Sequence, residues 1–164
     1  PDKILSLIPI SISPTNPNST KSSTSEIDAA IVTTFNKSGK MAATQIAYEH
    51  PVFNPAIKNP RTSKRMKQYL DEADFWRMSR KDPIITEPSQ ITQLHNILVP
   101  TLIIIGELDI PEIHTGSDSL VNGIKRSEKY AMSGCGHMVN MEDPEIFNSL
   151  VLDFLEKVER RTPN

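Results

Sequence analysis

VPTLIIIGELD (residues 99–109) and KYAMSGCGHMVNMEDP (residues 129–144) decide how this chain folds. The first holds a proline, an unbroken apolar run over 102–105, a glycine and then Asp109. A continuous β-branched run bounded by Pro and Gly reads as a strand buried on both faces of a parallel sheet. Pro100 stands at its first position, where a missing N–H matters little. The second stretch holds a short apolar run, two glycines around Cys135, and His137. The residues between leave room for one crossover helix, as a right-handed parallel connection requires. The acid therefore follows one strand and the histidine the next. Both fall at the carboxyl ends of neighbouring strands, where open α/β sheets hold their sites.

The rest of the chain is placed outward from that pair. Asp143 and Pro144 read as the N-cap and first position of a last helix. Its stripe is Ile146, Phe147, Leu150, Val151, Phe154, Leu155 and Val158. The crossover helix is predicted over 117–124, the strand before His137 over 129–132, and a helical turn near 89–95. Upstream, helices are predicted over 26–35, with Ser25 as N-cap, and over 40–49. A third is predicted over 60–80, where Met66, Tyr69, Leu70, Ala73 and Trp76 recur at three- and four-residue steps. Residues 14–25 form a Ser/Thr/Asn/Pro cluster that reads as loop or disorder. Residues 3–13 are apolar, and Pro9 limits the strand there to about 4–8.

PTLIIIGELD followed by GHMVNMEDPEIFNSLVLDFL resembles the last third of an α/β-hydrolase. In that superfamily the triad runs nucleophile, acid, histidine along the chain. The family's acid matches Asp109 and its histidine matches His137. The G-H-x-x-x-x-E-x-P pattern is met by Gly136, His137, Glu142 and Pro144. The resemblance is strong over 94–155. PDKILSLIPISIS is similar to the family's strand just after the nucleophile helix. No G-x-S-x-G occurs in the 164 residues, so the resemblance implies the carboxyl-terminal half without nucleophile elbow or oxyanion loop. The implied fold is a partial α/β-hydrolase: about three parallel strands, flanking helices and an inserted helical lid. Residues 1–13 would be a core strand, 14–93 the lid with a disordered start, and 94–164 the end of the core.

By the resemblance, Asp109 and His137 would be acid and general base for hydrolysis of an ester, lactone or C–C bond. The isolated chain would be inactive. The alternative is a non-catalytic module that keeps the fold for binding or interaction. Trp76 and Met138 are the candidate substrate contacts, with Phe75 and Met78 beside Trp76. Glu107 and Glu112 compete with Asp109, but one comes directly after the strand's glycine and the other lies past Pro111. Cys135 lacks the strand–turn–helix setting of a nucleophile and reads as a small buried residue. Asp109, Glu112 and His114 match no metal-ligand spacing. No metal and no cofactor is implied.

A net charge of −2 points to neither nucleic acid nor an anionic membrane. With 37% hydrophobic and 5% aromatic residues, the chain is poorly supplied for a self-sufficient α/β core. Self-association through an unpaired sheet edge is expected. One cysteine excludes an internal disulfide and suits a reducing compartment. With no signal peptide and no long apolar span, a cytoplasmic setting is expected. The sequons at Asn18 and Asn36 carry little weight without secretion.

Overall fold

The run at the centre of the sequence is the centre of the fold. β1 (Thr101–Gly106) is buried at every position. Its side chains alternate between two apolar layers, as the period of a strand dictates. Leu102 and Ile104 pack with Met132, Cys135, Val139, Phe154 and Val158. Ile103 and Ile105 pack with Leu94, Ile113, Leu120 and Ile124. A computed structural model of the chain describes residues 3–14, 25–73 and 89–161.

β2 (Ser127–Met132) pairs with β1 in parallel, Thr101 opposite Ser127 and Gly106 opposite Met132. On the other side of β1 lies an N-terminal ribbon, bridged in parallel at Leu7–Thr101 and Ile10–Ile104. Four hydrogen bonds join it to β1: Leu7 N–H to Pro100, Leu102 N–H to Leu7, Ile104 N–H to Pro9 and Ser11 N–H to Ile104. The rung missing from this ladder is the one that Pro9, having no N–H, would donate to the Leu102 carbonyl. The pairing therefore sits over 7–11 and not over 4–8, and the ribbon is a broken third strand beside two regular ones. The N–H and C=O groups of Ile8 and Ile10 face away from β1 along an open edge. Ile4, Leu5 and Ile12 are largely exposed beside it.

The crossover is α6 (Pro111–Gly123), which starts six residues before the predicted 117 because Pro111 takes the first helical position. Gly116 lies against Ser13 and Gly123 against Leu94, close approaches that a Cβ at either position would block. The chain ends in α7 (Val139–Glu142) and α8 (Pro144–Arg161). Asp143 caps α8 by accepting the Ile146 N–H at 3.1 Å. Phe147, Leu150, Val151, Phe154 and Val158 lie on the β1 layer, while Ile146 and Leu155 of the predicted stripe are exposed.

Between ribbon and sheet lies a helical insertion: α1 (Ser25–Ser38), α2 (Lys40–Ala47), α3 (Asn54–Lys58) and α4 (Ser63–Glu72). It has its own core of Ile31, Ala43, Ala47, Ala56, Met66 and Leu70. The helix predicted over 60–80 is shorter. It begins after the Thr62 turn, and Ala73 leaves it in an extended conformation. Among the described residues of its apolar set, Met66 and Leu70 are buried and Tyr69 is exposed. The predicted continuation to 80 and the loop reading of 14–25 fall mostly outside the described residues. The short α5 (Gln90–Gln93) and a 3-10 turn (Leu94–Asn96) lead into β1, matching the turn expected there.

Candidate active site

The loops that follow β1 and β2 are laced together. Glu107 N–H bonds the Met132 carbonyl at 2.9 Å, and Leu108 N–H bonds the Cys135 carbonyl at 2.8 Å. They can approach this closely because Gly106 has no side chain. A Cβ there would stand 2.0 Å from the Gly136 carbonyl oxygen and 2.3 Å from that of Cys135. Gly134 turns the second loop with φ +70°, a conformation that glycine adopts without strain. The Glu107 carboxylate holds that turn, accepting the Ser133 hydroxyl at 2.9 Å and the Gly134 N–H at 3.0 Å. Glu107, a rival for the acid's position, is thus engaged with the loop backbone. Those bonds, the Gly134 N–H first, hold its carboxyl below the ordinary value.

The lacing brings Asp109 and His137 together across 28 residues of chain. His137 Nδ1 lies 3.0 Å from one Asp109 oxygen and 3.1 Å from the other. The Asp109 side chain has no exposed surface, and that of His137 is 24% exposed. The Ile110 N–H adds a 2.8 Å bond to the same carboxylate. An ionised carboxylate only accepts, so Nδ1 carries the ring proton and the lone pair of the neutral ring sits on Nε2. The ring's far nitrogen is then a base held in one orientation.

Cys135 is buried in the apolar layer of Leu102 and Ile104. Burial first, then the charges of Glu142 and Asp143, push its thiol up to about 11. It is protonated near neutral pH and is a packing residue. Among the described residues, no group of three or more His, Cys, Asp and Glu side chains is placed to hold a metal ion.

Met138 packs at the margin of the insertion's core, where the histidine loop meets those helices. Pro55 of α3 lies against Gly136, whose Cβ would come within 2.5 Å of the proline ring. Arg61 pairs with Glu145 at the start of α8. A cleft of about 530 Å³ runs between α3 and the loops, lined by Pro51, Asn54, Pro55, Lys58, Asn59, Leu108 and Gly134. Trp76, Phe75 and Met78 lie outside the described residues.

A second histidine–carboxylate pair lies in the insertion. His50, buried in the insertion, places Nε2 3.1 Å from Asp28 and accepts the Val52 N–H on Nδ1 at 3.2 Å. Both of its nitrogens are engaged, so the ring ties α1 to the turn after α2. No local motif surrounds His50, so only its long-range partner Asp28 reveals the pair.

No family model matches the chain. Monoacylglycerol lipase ABHD6 of Rattus norvegicus is 37% identical over 84 residues, which cover 49% of this chain and 25% of the relative. MenH from S. aureus superposes with a TM-score of 0.76 at 23% identity, over 95% of this chain and 60% of that one. A thermophilic esterase from Thermogutta terrifontis gives a TM-score of 0.67 at 17% identity, over 96% and 57%. The chain carries the carboxyl-terminal part of the α/β-hydrolase fold. It spans about three fifths of the α/β-hydrolase structures it matches, and the matched stretch is a quarter of the lipase. Among the described residues no helix is long and apolar enough to cross a membrane.

Proposed function

We propose that this chain is the part of a serine α/β-hydrolase that supplies the acid, Asp109, and the general base, His137. In that role His137 Nε2 takes the proton of an attacking serine and returns it to the leaving group. Asp109 keeps the ring in the required tautomer and stabilises the imidazolium that forms. The serine and the oxyanion donors belong to a region upstream of these 164 residues, and the chain alone is inactive. The helical insertion acts as a lid, with Met138 and Trp76 as substrate contacts.

The observation that supports this most is the His137 Nδ1 contact with both oxygens of a carboxylate shut away from solvent. A carboxylic ester is the favoured substrate, because the rat relative and the Thermogutta protein are named as a lipase and an esterase. The test is to express the gene region upstream of Pro1 together with this chain and assay p-nitrophenyl butyrate. Turnover that falls on the order of 10⁶-fold in His137→Ala is the expected result. An upstream region without G-x-S-x-G and a longer protein without turnover would favour the non-catalytic reading.

A further inference from the structure

His137 sits in a loop with no ladder to hold it, yet its ring has to be aimed within a fraction of an ångström. The backbone on both sides of it is tied to a single side chain. The Gly136 N–H donates to Glu142 Oε2 at 2.9 Å, and the Met138 N–H donates to Glu142 Oε1 at 3.0 Å. The Glu142 N–H closes the same turn by donating to the Met138 carbonyl at 2.9 Å. Glu142 is 3% exposed, and among the described residues it forms no ion pair. A buried carboxylate without a cation is costly unless donors meet both oxygens, and bonds to a charged acceptor are the strong kind. Here both donors come from the peptides that flank the histidine.

We propose that Glu142 is a positioning residue: its two oxygens clamp the peptides either side of His137 and so aim Nδ1 at Asp109. The clamp rests on the reading of His137 as base. It also explains why a glutamate stands there. Glutamine is the same size but has one acceptor oxygen, so its NH₂ group would face a backbone N–H donor. Pro55 packs on the same loop: a Cβ on Gly136 would come within 2.5 Å of the proline ring and 3.4 Å of Glu142 Oε1. The carboxylate ties the loop's backbone, and Pro55 of α3 packs against it.

NMR on the full 164-residue chain, labelled with ¹⁵N, tests the clamp. In Glu142→Gln, amide exchange at Gly136 or Met138 should quicken at least tenfold, and His137 should lose its single Nδ1–H tautomer. The His50 tautomer should hold, which separates aiming from general loosening. Should Glu142→Gln fail to fold, wild-type chain with ¹³Cδ-labelled glutamate gives the same test. Hydrogen-bond couplings from that carbon to both amides are expected, and their absence overturns the clamp. Unchanged exchange and an unchanged His137 tautomer in folded Glu142→Gln overturn it equally. These readouts need no turnover, so an inactive longer protein would sink the base assignment and leave the clamp standing.

Discussion

Replacing Gly106 with alanine adds one methyl group where two loops touch. The added carbon would sit 2.0 Å from the Gly136 oxygen, against the 3.0 Å below which real Cβ contacts essentially never fall. The neighbours are backbone, so no flexible side-chain end can swing aside. The 135–136 backbone must retreat by about 1 Å, since packed interiors leave no slack to absorb it. His137 follows directly in the chain. Its Nδ1 contact, now 3.0 Å, would stretch to about 4 Å and leave hydrogen-bond range. Overpacking of this kind costs about 1–3 kcal/mol. For a chain of this size that lowers the melting temperature by roughly 2–12 °C. In a longer protein that carries the nucleophile, the same displacement should reduce kcat on the order of 10²-fold. Thermal melting and the His137 imidazole resonances of Gly106→Ala measure both effects. An alanine variant with wild-type melting and wild-type imidazole resonances would refute the claim that this glycine sets the approach of the two loops.

The chain alone should turn over p-nitrophenyl acetate no faster than background; robust hydrolysis lost in His137→Ala would reveal a nucleophile within these residues. The open edge beside Ile8 and Ile10, flanked by exposed Ile4, Leu5 and Ile12, should drive self-association at micromolar concentration. Leu5→Lys with Ile12→Lys should raise the monomer fraction in sedimentation, and a wild-type chain that sediments as a sharp monomer would contradict this. Glu107 offers a pH test. Its folded carboxyl lies below the ordinary 4.5, so it adds stability above that value and loses it as pH falls through the folded pKa. The melting temperature of Glu107→Gln should therefore decline less steeply than wild type below about pH 4.5, and parallel acid limbs would count against the Gly134 and Ser133 contacts.

The sheet centre and the last helix were legible because their signals are local. The run over 102–105 is apolar without interruption, and burial on both faces follows from that. The Asp143 cap and the Phe147 to Val158 stripe could be read for the same reason. The pairing of Asp109 with His137 lies 28 residues apart and came through chain order and resemblance. What stayed hidden depends on contacts across the fold. Nothing near Gly106 says that a second loop's carbonyls will press against it. Glu142 was visible as part of a motif, but its two backbone bonds exist only once α7 turns back on the histidine loop. α4 ends at Glu72, where Ala73 turns extended, although the apolar period in the sequence runs on past it. Pro9 reads in the sequence as the end of a strand, yet it removes only one rung, and the pairing runs on to Ser11.

The hydrogen bond between the carboxylate and the imidazole is tested most directly by ¹⁵N imidazole NMR of His137 in the wild-type chain and in Asp109→Ala. The expected result is a low-field Nδ1–H proton with a single Nδ1–H tautomer in the wild type, and loss of both in the variant. The same proton resonance and the same tautomer in Asp109→Ala would contradict the pairing on which the proposed chemistry rests.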